Sequence, residues 1–363
     1  TYILTKSHYH YILDAKLSKQ ILNDSPQLFG PGRLKNNFFS EFMPLNLGIS
    51  RCPMNKHQIE KCPWKKRRKF NEDVLGSNHL TPFYLCIEHI VKESITKQLL
   101  TIDDFKLFSY KLAANSIYGI EKGNEYSYLI KKFMNSIDKN LLTSKFYKKY
   151  KQDLQQKYKT SSKNSLLYYA NIYRNEEPNA IDDQIPHWFA PFIFMFSFLI
   201  PNLLCVILSF KDIHSKILKE IDNFDILSKE TYLHYCVIEH IRLFNTININ
   251  LHREVEKDMD YHGYSFKKGD QLFMGFANIL RDETLFDHPD KYNPDRWINK
   301  PIEEQNIVFG IGPQQCPSRN ISPVYYKAII YNLFKNYSYK LVQPKLTNRN
   351  LYFINPYNIK FMT

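Results

Sequence analysis

The residues best suited to chemistry lie in the segment Phe309–Arg319, which reads F-x-x-G-x-x-x-C with Gly312 and Cys316 in the pattern. A metal-binding thiolate needs a turn that aims its sulfur, backbone N–H groups nearby, and an apolar wall against water. Glycine permits the turn, and a helix N-terminus after the loop favours the thiolate. Ser322 and Pro323 fit the start of such a helix. We predict that Cys316 binds a metal, although an ordinary buried cysteine also fits this motif alone.

A second feature is the pair Glu239 and Arg242, which lie three positions apart in a helical pattern of apolar residues. Residues at this spacing share a helix face. Most such pairs are exposed and contribute only a few tenths of a kcal/mol, so this pair carries little weight alone.

Together the motifs are far more specific, because E-x-x-R, then P-D-R-W at 294–297, then F-x-x-G-x-x-x-C follow in order. This order and approximate spacing resemble the cytochrome P450 superfamily, over about residues 60 to 363. The resemblance implies the cytochrome P450 fold, mainly α with a minor β component, and haem b (iron protoporphyrin IX) bound through Cys316. It also implies that Glu239, Arg242 and Arg296 form a buried network that is structural and not catalytic.

The resemblance also implies which residues contact the haem. Upstream, W-x-x-x-R corresponds to a tryptophan and an arginine that bind one propionate in the family, and a later arginine often binds the other. A guanidinium suits a carboxylate because its donors form a fork. The expected haem-binding residues are Phe309, Gly312, Gln314, Trp64, Arg68 and Arg253.

The basic segment around Trp64 has a further expected role. By its position in the family, Lys65, Lys66, Arg67 and Lys69 would contact an acidic electron-donor protein, a reductase or a ferredoxin. A solvated basic face or a nucleic-acid patch is the alternative, but no recognition motif accompanies it, so we expect no nucleic-acid partner. The net charge of +13 is weak evidence, since coding bias explains it equally well.

Three departures from the family bear on mechanism. Gln314 stands where most members have Arg or His, and Ser318 where most have Gly or Ala. A neutral Gln cannot neutralise the charge of a propionate, so the other haem-binding residues must contribute more to propionate binding. Monooxygenases typically carry an acid–alcohol pair in a long apolar helix, but residues 192–201 hold no carboxylate and only Ser197 as a hydroxyl. Ser197 is therefore the candidate for proton delivery. Family members that rearrange peroxides also lack the acid.

The elements that must position these residues are mostly helical, in one domain over 1–363. We predict a helix over residues 8–22, no N-terminal strands of the family's kind, and short strands around Tyr261–Tyr264 and Leu272–Phe276. The uncharged run His187–Phe210 is long enough to cross a bilayer, yet its prolines suit a kinked core helix equally well. The amphipathic helix after it favours burial.

Bulk properties set wider limits. The 363 residues are 44% hydrophobic, which allows a large globular core. Six cysteines without a CxxC pair indicate a reducing compartment, either the cytoplasm or the cytoplasmic face of a membrane. We expect that a natural N-terminus precedes Thr1, and membrane association through that missing segment is an open alternative.

The expected function is that of a haem-thiolate monooxygenase, which inserts one oxygen atom of O2 into an apolar small molecule. A sterol-like or lipid-like substrate is implied by the resemblance alone. One alternative is a peroxide-rearranging or peroxygenase haem-thiolate enzyme. Another is a degenerate haem-binding or membrane-associated protein without catalysis, which the departures at Gln314 and Ser318 would suit.

Overall fold

A computed structural model describes residues 3–40, 43–51, 62–76, 80–95, 99–119, 123–138, 145–156, 165–174, 181–244, 251–344, 346–347 and 355–362. The structure is mainly α-helical with short strands, as predicted. Contacts divide it into two compact units. The first unit comprises Thr1–Glu72, Glu176–Gln184 and Ile238–Arg319, and the second comprises Asp73–Asn175, Ile185–Val237 and Asn320–Thr363. The single domain stays a prediction.

The helices and strands follow one another in this order: β1 (Ile3–Lys6), β2 (Tyr9–Ile12), α1 (Ala15–Asn23), β3 (Phe29–Pro31), α2 (Arg33–Phe39), α3 (Pro63–Leu75), α4 (Leu80–Ser94), β4 (Leu99–Thr101), α5 (Ile102–Tyr118), α6 (Gly123–Asp138), α7 (Lys145–Gln156), α8 (Leu166–Tyr173), α9 (Ile181–Phe194), α10 (Ile200–Ser209), α11 (Lys211–Glu220), α12 (Tyr232–Phe244), β5 (Leu251–Val255), β6 (Met259–Tyr261), β7 (Tyr264–Phe266), β8 (Gln271–Met274), α13 (Phe276–Ile279), α14 (Ile302–Gln305), α15 (Ile321–Asn336), β9 (Lys340–Gln343) and β10 (Lys360–Met362).

The first unit contains a sheet with strand order β1-β2-β8-β5-β3. Strands β2 and β8 pair in parallel, and the other neighbours pair antiparallel. The prediction that N-terminal strands are absent is therefore wrong, and the helix expected over 8–22 begins only at Ala15. Residues 9–12 alternate exposed and buried, which is the strand period, and Asp14 caps α1 by accepting the Leu17 N–H at 2.7 Å.

The late strands confirm the sequence prediction. Strands β6 and β7 form a hairpin whose two turn residues, His262 and Gly263, have φ of 49° and 83°. Two positive φ values in succession define the turn that matches the twist of a hairpin. Strand β8 follows a turn at Gly269, whose φ is 89°.

The second unit is built mainly from helices, with a small sheet of order β4-β10-β9. Its long apolar helix combines most of α9, a π-helical turn at Met195–Leu199, and α10. Pro201 offers no N–H to the carbonyl of Ser197 four positions earlier, which favours the wider turn. The helix over Ile181–Ser209 is long and apolar enough to cross a membrane, but 67% of its most apolar window is buried, as in a core helix.

The helix after the cysteine motif begins at Ile321 with Asn320 as its N-cap, and Asn320 makes no side-chain cap bond. The placement of Ser322 and Pro323 at its start is therefore wrong by two positions. A proline fits anywhere in the first helical turn, because N–H groups there have no partner within the helix.

Candidate functional site

The loop that carries Cys316 is closed by its own backbone. A 3₁₀ turn at Asn306–Phe309 leads into Gly310, whose φ is 104°, and the Cys316 N–H donates to the Phe309 carbonyl at 2.8 Å. Phe309 is buried, whereas Cys316 is partly exposed and is a free cysteine. The loop thus presents one accessible sulfur beside a buried aromatic ring.

Gly312 brings this loop against the end of α1. Its φ is 74°, and a Cβ there would lie 2.4 Å from the Leu22 carbonyl oxygen and 2.9 Å from the Asn23 Cα. Real Cβ atoms do not approach backbone so closely. The glycine of the motif is therefore required for both its backbone conformation and its packing.

The side chain of Gln315 braces the loop from inside. Its Nε2 donates to the carbonyls of Asn306 at 2.9 Å and Gly310 at 3.0 Å. The backbone carbonyl of Gln315 accepts a hydrogen bond from Arg68 of α3. The loop is thus held to α3 as well as to itself.

A carboxylate on α3, Glu72, reinforces this attachment. Arg319 donates to Glu72 at 2.8 and 3.1 Å and to the Cys316 carbonyl at 3.1 Å, while Arg68 also pairs with Glu72. Burial lowers the pKa of Arg68, an effect that Glu72 and Cys316 oppose by their negative charge. Two guanidinium groups therefore share one carboxylate beside the cysteine loop, which leaves a net positive charge there.

Sequence reasoning missed Glu72 and Arg319. The available signal was the spacing of Arg68 and Glu72, four positions apart on one helix face. Nothing local connects Arg319 to α3, because 247 positions separate it from Glu72. The predicted contact of Arg68 with a propionate must compete with this pairing.

The basic segment of α3 is less exposed than expected. Lys65 and Lys69 are exposed and Lys66 is partly buried, but Arg67 is buried and donates to the Ser50 Oγ at 2.7 Å. The prediction that Arg67 contacts a partner protein is therefore wrong. It follows Trp64 by three positions, which places it on the buried face of the helix.

Trp64 lies in a small cluster with Cys62 and Leu47 and is 8% exposed. Arg253, on β5, is buried and donates to the Ser25 Oγ at 3.2 Å and the His252 carbonyl at 2.9 Å. Burial lowers the pKa of Arg253 to about 10. Since Ser25 closely follows the α1 residues that meet Gly312, Arg253 belongs to the surroundings of the cysteine loop.

Behind the loop, the structure brings Glu239, Arg242 and Arg296 together. Arg242 donates to both Glu239 oxygens at 2.8 and 2.9 Å, and Arg296 donates at 3.0 Å. The Trp297 indole N–H and the Asn293 N–H add bonds of 2.9 Å each. The carboxylate thus fixes the P-D-R-W segment, including Trp297, whose part in the network was not predicted.

Ser197 lies in the π-helical turn of the second unit and is buried. Its Oγ is 2.7 Å from the Ser109 Oγ, and the Ser109 hydroxyl donates to the Lys106 carbonyl at 2.7 Å. Ser197 therefore donates to Ser109 in this arrangement, and that proton path ends at a carbonyl. Its part in proton delivery stays a prediction.

Comparisons with known proteins point to one family. The family model described as Cytochrome P450 matches residues 200–361. Psoralen synthase of Ammi majus is 28% identical over 124 residues, which cover 33% of this chain and 25% of the relative. Cytochrome P450 85A1 of Solanum lycopersicum is 34% identical over 87 residues, 23% of this chain and 18% of the relative.

Cholesterol 22-monohydroxylase CYP90B52 of Paris polyphylla is 29% identical over 121 residues, 32% of this chain and 25% of the relative. The matches thus span about a quarter or less of the length of these relatives. A solved structure, P450BioI in complex with an acyl carrier protein ligated to hexadec-9Z-enoic acid, superposes with a TM-score of 0.69. The two sequences are 16% identical, and the superposition covers 99% of this chain and 94% of the P450BioI chain, which shows the fold.

The residues present fit a haem group. Buried charges are normally paired, yet Arg253 has no carboxylate partner in the part of the chain that the structure describes. The buried Gln314 Oε1 likewise has no donor among the described residues. A half-turn of that amide would present its NH2 group to an anion. Propionate groups would satisfy these two side chains, and the free Cys316 would supply the iron ligand.

Proposed function

We propose that the chain is a member of the cytochrome P450 superfamily and a haem-thiolate enzyme in which Cys316 binds the iron of haem b. The observation that carries this proposal is the Phe309–Cys316 loop. It is closed by a 2.8 Å backbone bond, packed through Gly312 against α1, and clamped to α3 through Arg319 and Glu72. This support holds the sulfur in one position.

Each residue of the site has a defined role in this proposal. When bound, haem activates dioxygen or a peroxide, and a cysteine thiolate ligand favours O–O cleavage. Phe309 shields the sulfur from water, and Gly312 lets the loop approach α1. Arg253 supplies a buried positive charge to a propionate, and Gln314 supplies an amide N–H. Arg68 braces the loop through the Gln315 carbonyl.

We assign the enzyme to the monooxygenases, with an apolar small molecule as substrate. The sequence relatives support this, since one is named a cholesterol 22-monohydroxylase. That activity belongs to the relative, and a sterol-like or lipid-like substrate is our proposal for this chain.

Electrons would come from an acidic reductase or ferredoxin. Lys65 and Lys69 are exposed on the helix that also carries Arg68 and Glu72, so a docked donor would lie close to the loop. Charged surface residues mainly speed association and set orientation. Arg67 is excluded because it is buried. We place the enzyme in the cytoplasm or at the cytoplasmic face of a membrane.

A peroxide-rearranging or peroxygenase enzyme is the second candidate. It is favoured by Ser197, whose hydroxyl donates to Ser109 instead of an acidic relay. Residues 192–201 also contain no carboxylate. An enzyme that begins from a peroxide needs no protons from solvent to reach the O–O bond-breaking step.

The haem-thiolate proposal is tested by the carbon monoxide difference spectrum of the reduced full chain. Wild type should give the red-shifted Soret band of a thiolate ligand, and Cys316→Ala should lose it. Cys236→Ala, which removes a buried cysteine of α12, should retain it. Folded wild-type protein without haem would instead support a non-catalytic protein, and a band unchanged in Cys316→Ala would exclude this ligand.

Turnover separates the two enzymatic candidates. A monooxygenase requires NADPH, a donor protein and O2, whereas the second candidate converts a hydroperoxide without them. We expect product only with the complete electron-transfer system. Equal or faster turnover with cumene hydroperoxide alone, under argon, would establish the second candidate.

A further inference from the structure

The Cys316 sulfur has one side-chain neighbour of special interest, Ser318. The two atoms Cys316 Sγ and Ser318 Oγ lie 3.1 Å apart, within hydrogen-bond distance. Either group could donate if the cysteine were a thiol. A thiolate has no proton, so in the iron-bound form Ser318 must be the donor.

The backbone of the loop directs several of its N–H groups away from the sulfur. The N–H of Gln315 donates to the Gly312 carbonyl at 3.0 Å, and that of Cys316 to the Phe309 carbonyl at 2.8 Å. Arg319 donates its N–H to the Cys316 carbonyl, and Pro317 has none. The Ser318 hydroxyl therefore supplies a donor where these amides do not.

Two arginines also lie at the loop. Arg319 donates to the Cys316 carbonyl, and the Arg68 guanidinium donates to the Gln315 carbonyl. This guanidinium and Arg319 share the single carboxylate of Glu72. Both arginines also hold the loop backbone, so replacing them would move the sulfur. Replacing Ser318 therefore changes the hydrogen bonding of the sulfur with the least disturbance of the loop.

We propose that Ser318 donates a hydrogen bond to the Cys316 thiolate and thereby raises the reduction potential of the bound iron. This inference rests on the proposed haem-thiolate function. Hydrogen bonds to a ligating sulfur withdraw electron density from it. They stabilise the reduced form more, because the sulfur carries more negative charge when the iron is ferrous. Ser318 acts through Cys316 and is a positioning and tuning residue.

The test is a redox titration of the haem-loaded full chain, followed by absorbance, for wild type and three variants. Ser318→Ala removes the hydroxyl, and we expect its iron to be reduced about tenfold less favourably, about 59 mV for one electron. Ser318→Thr retains a hydroxyl and should restore most of the wild-type potential. Ser265→Ala, which removes a hydroxyl bonded to Asp260 on the β6–β7 hairpin, is the matched control and should not shift the potential.

A second measurement uses the Fe–S stretching frequency from resonance Raman spectra. Loss of the donor should strengthen the Fe–S bond and raise this frequency in Ser318→Ala, with Ser318→Thr close to wild type. If Ser318→Ala binds haem poorly, the Fe–S frequencies of wild type and Ser318→Thr in H2O and in D2O still show whether the sulfur accepts a hydrogen bond. A shift on deuteration supports a hydrogen bond to sulfur, and its absence overturns it.

The outcomes separate this inference from the function beneath it. If wild type lacks the thiolate band in the carbon monoxide spectrum, the proposed function fails before Ser318 is considered. If wild type and Ser318→Ala both show the band but have equal potentials and equal Fe–S frequencies, the haem-thiolate function stands and the role of Ser318 is refuted.

Discussion

Replacing Glu239 by Gln should destabilise the first unit strongly, because the carboxylate is the centre of a buried network. Glu239 and Arg242 are both 0% exposed at their side chains. The carboxylate accepts two bonds from Arg242, one from Arg296, one from the Asn293 N–H and one from the Trp297 indole. Glutamine keeps the volume but removes the charge and turns one acceptor into a donor.

The magnitude follows from the charge that is left unpaired. In Glu239→Gln the guanidinium of Arg242 loses its charged partner and keeps only neutral acceptors, among them the carbonyls of Leu280 at 2.7 Å and Lys291 at 3.3 Å. Removing one member of a buried ion pair costs about 3–5 kcal/mol. We expect the free energy of unfolding to fall by about that amount.

Urea unfolding followed by far-UV circular dichroism and by tryptophan fluorescence measures this loss. Glu303→Gln, on the exposed surface of α14, is the matched control and should change stability by less than about 0.5 kcal/mol. A loss below about 1 kcal/mol in Glu239→Gln, with an unchanged denaturant slope, would refute the reasoning. It would mean that the network makes no net contribution to the free energy of unfolding.

Three other substitutions test the loop and the second unit. Gly312→Ala should lower the haem-to-protein ratio sharply, whereas Gly263→Ala, which also has positive φ but open space, should leave that ratio unchanged. Glu72→Gln should release haem at a lower temperature than wild type. The expected loss of stability is about 1 kcal/mol, because the ion pairs of Glu72 with Arg68 and Arg319 are partly exposed. An unchanged Soret melting curve would contradict the role of Glu72 in holding the loop to α3. Burial lowers the pKa of Lys327 to about 7, so above that pH the unfolded chain binds more protons than the folded chain. The free energy of unfolding of wild type should therefore rise between pH 7 and pH 10, by up to about 4 kcal/mol relative to Lys327→Met. Unfolding curves at the two pH values measure this gain.

The sequence predicted two local structures well, the cysteine loop and the Glu239–Arg242 pair. The spacing of Phe309, Gly312 and Cys316 indicated a loop that presents sulfur, and the structure gives that loop positive φ at Gly310 and Gly312. Likewise, Glu239 and Arg242 lie three positions apart on one helix and do pair. These features are local, so a short stretch of sequence contains most of the information they need.

Predictions were weaker where burial decides the role of a residue. The position of α3 in the resembled family suggested that its basic residues contact a partner protein, but the helix turns Arg67 inward to Ser50. The helix predicted over 8–22 includes residues 9–12, whose apolar pattern is short and ambiguous. Their pairing with β8, through Tyr9 and Gln271, makes them a strand.

The sequence by itself determined the cysteine loop and the E-x-x-R pair, because these depend on backbone freedom at glycine and on helix periodicity. Only the tertiary structure decided which distant groups complete them. Glu72 meets Arg319 across 247 positions, and Arg253 meets Ser25 across 228. Such contacts depend on how whole elements pack, since a side chain gains a partner only when folding brings two remote segments within a few ångströms.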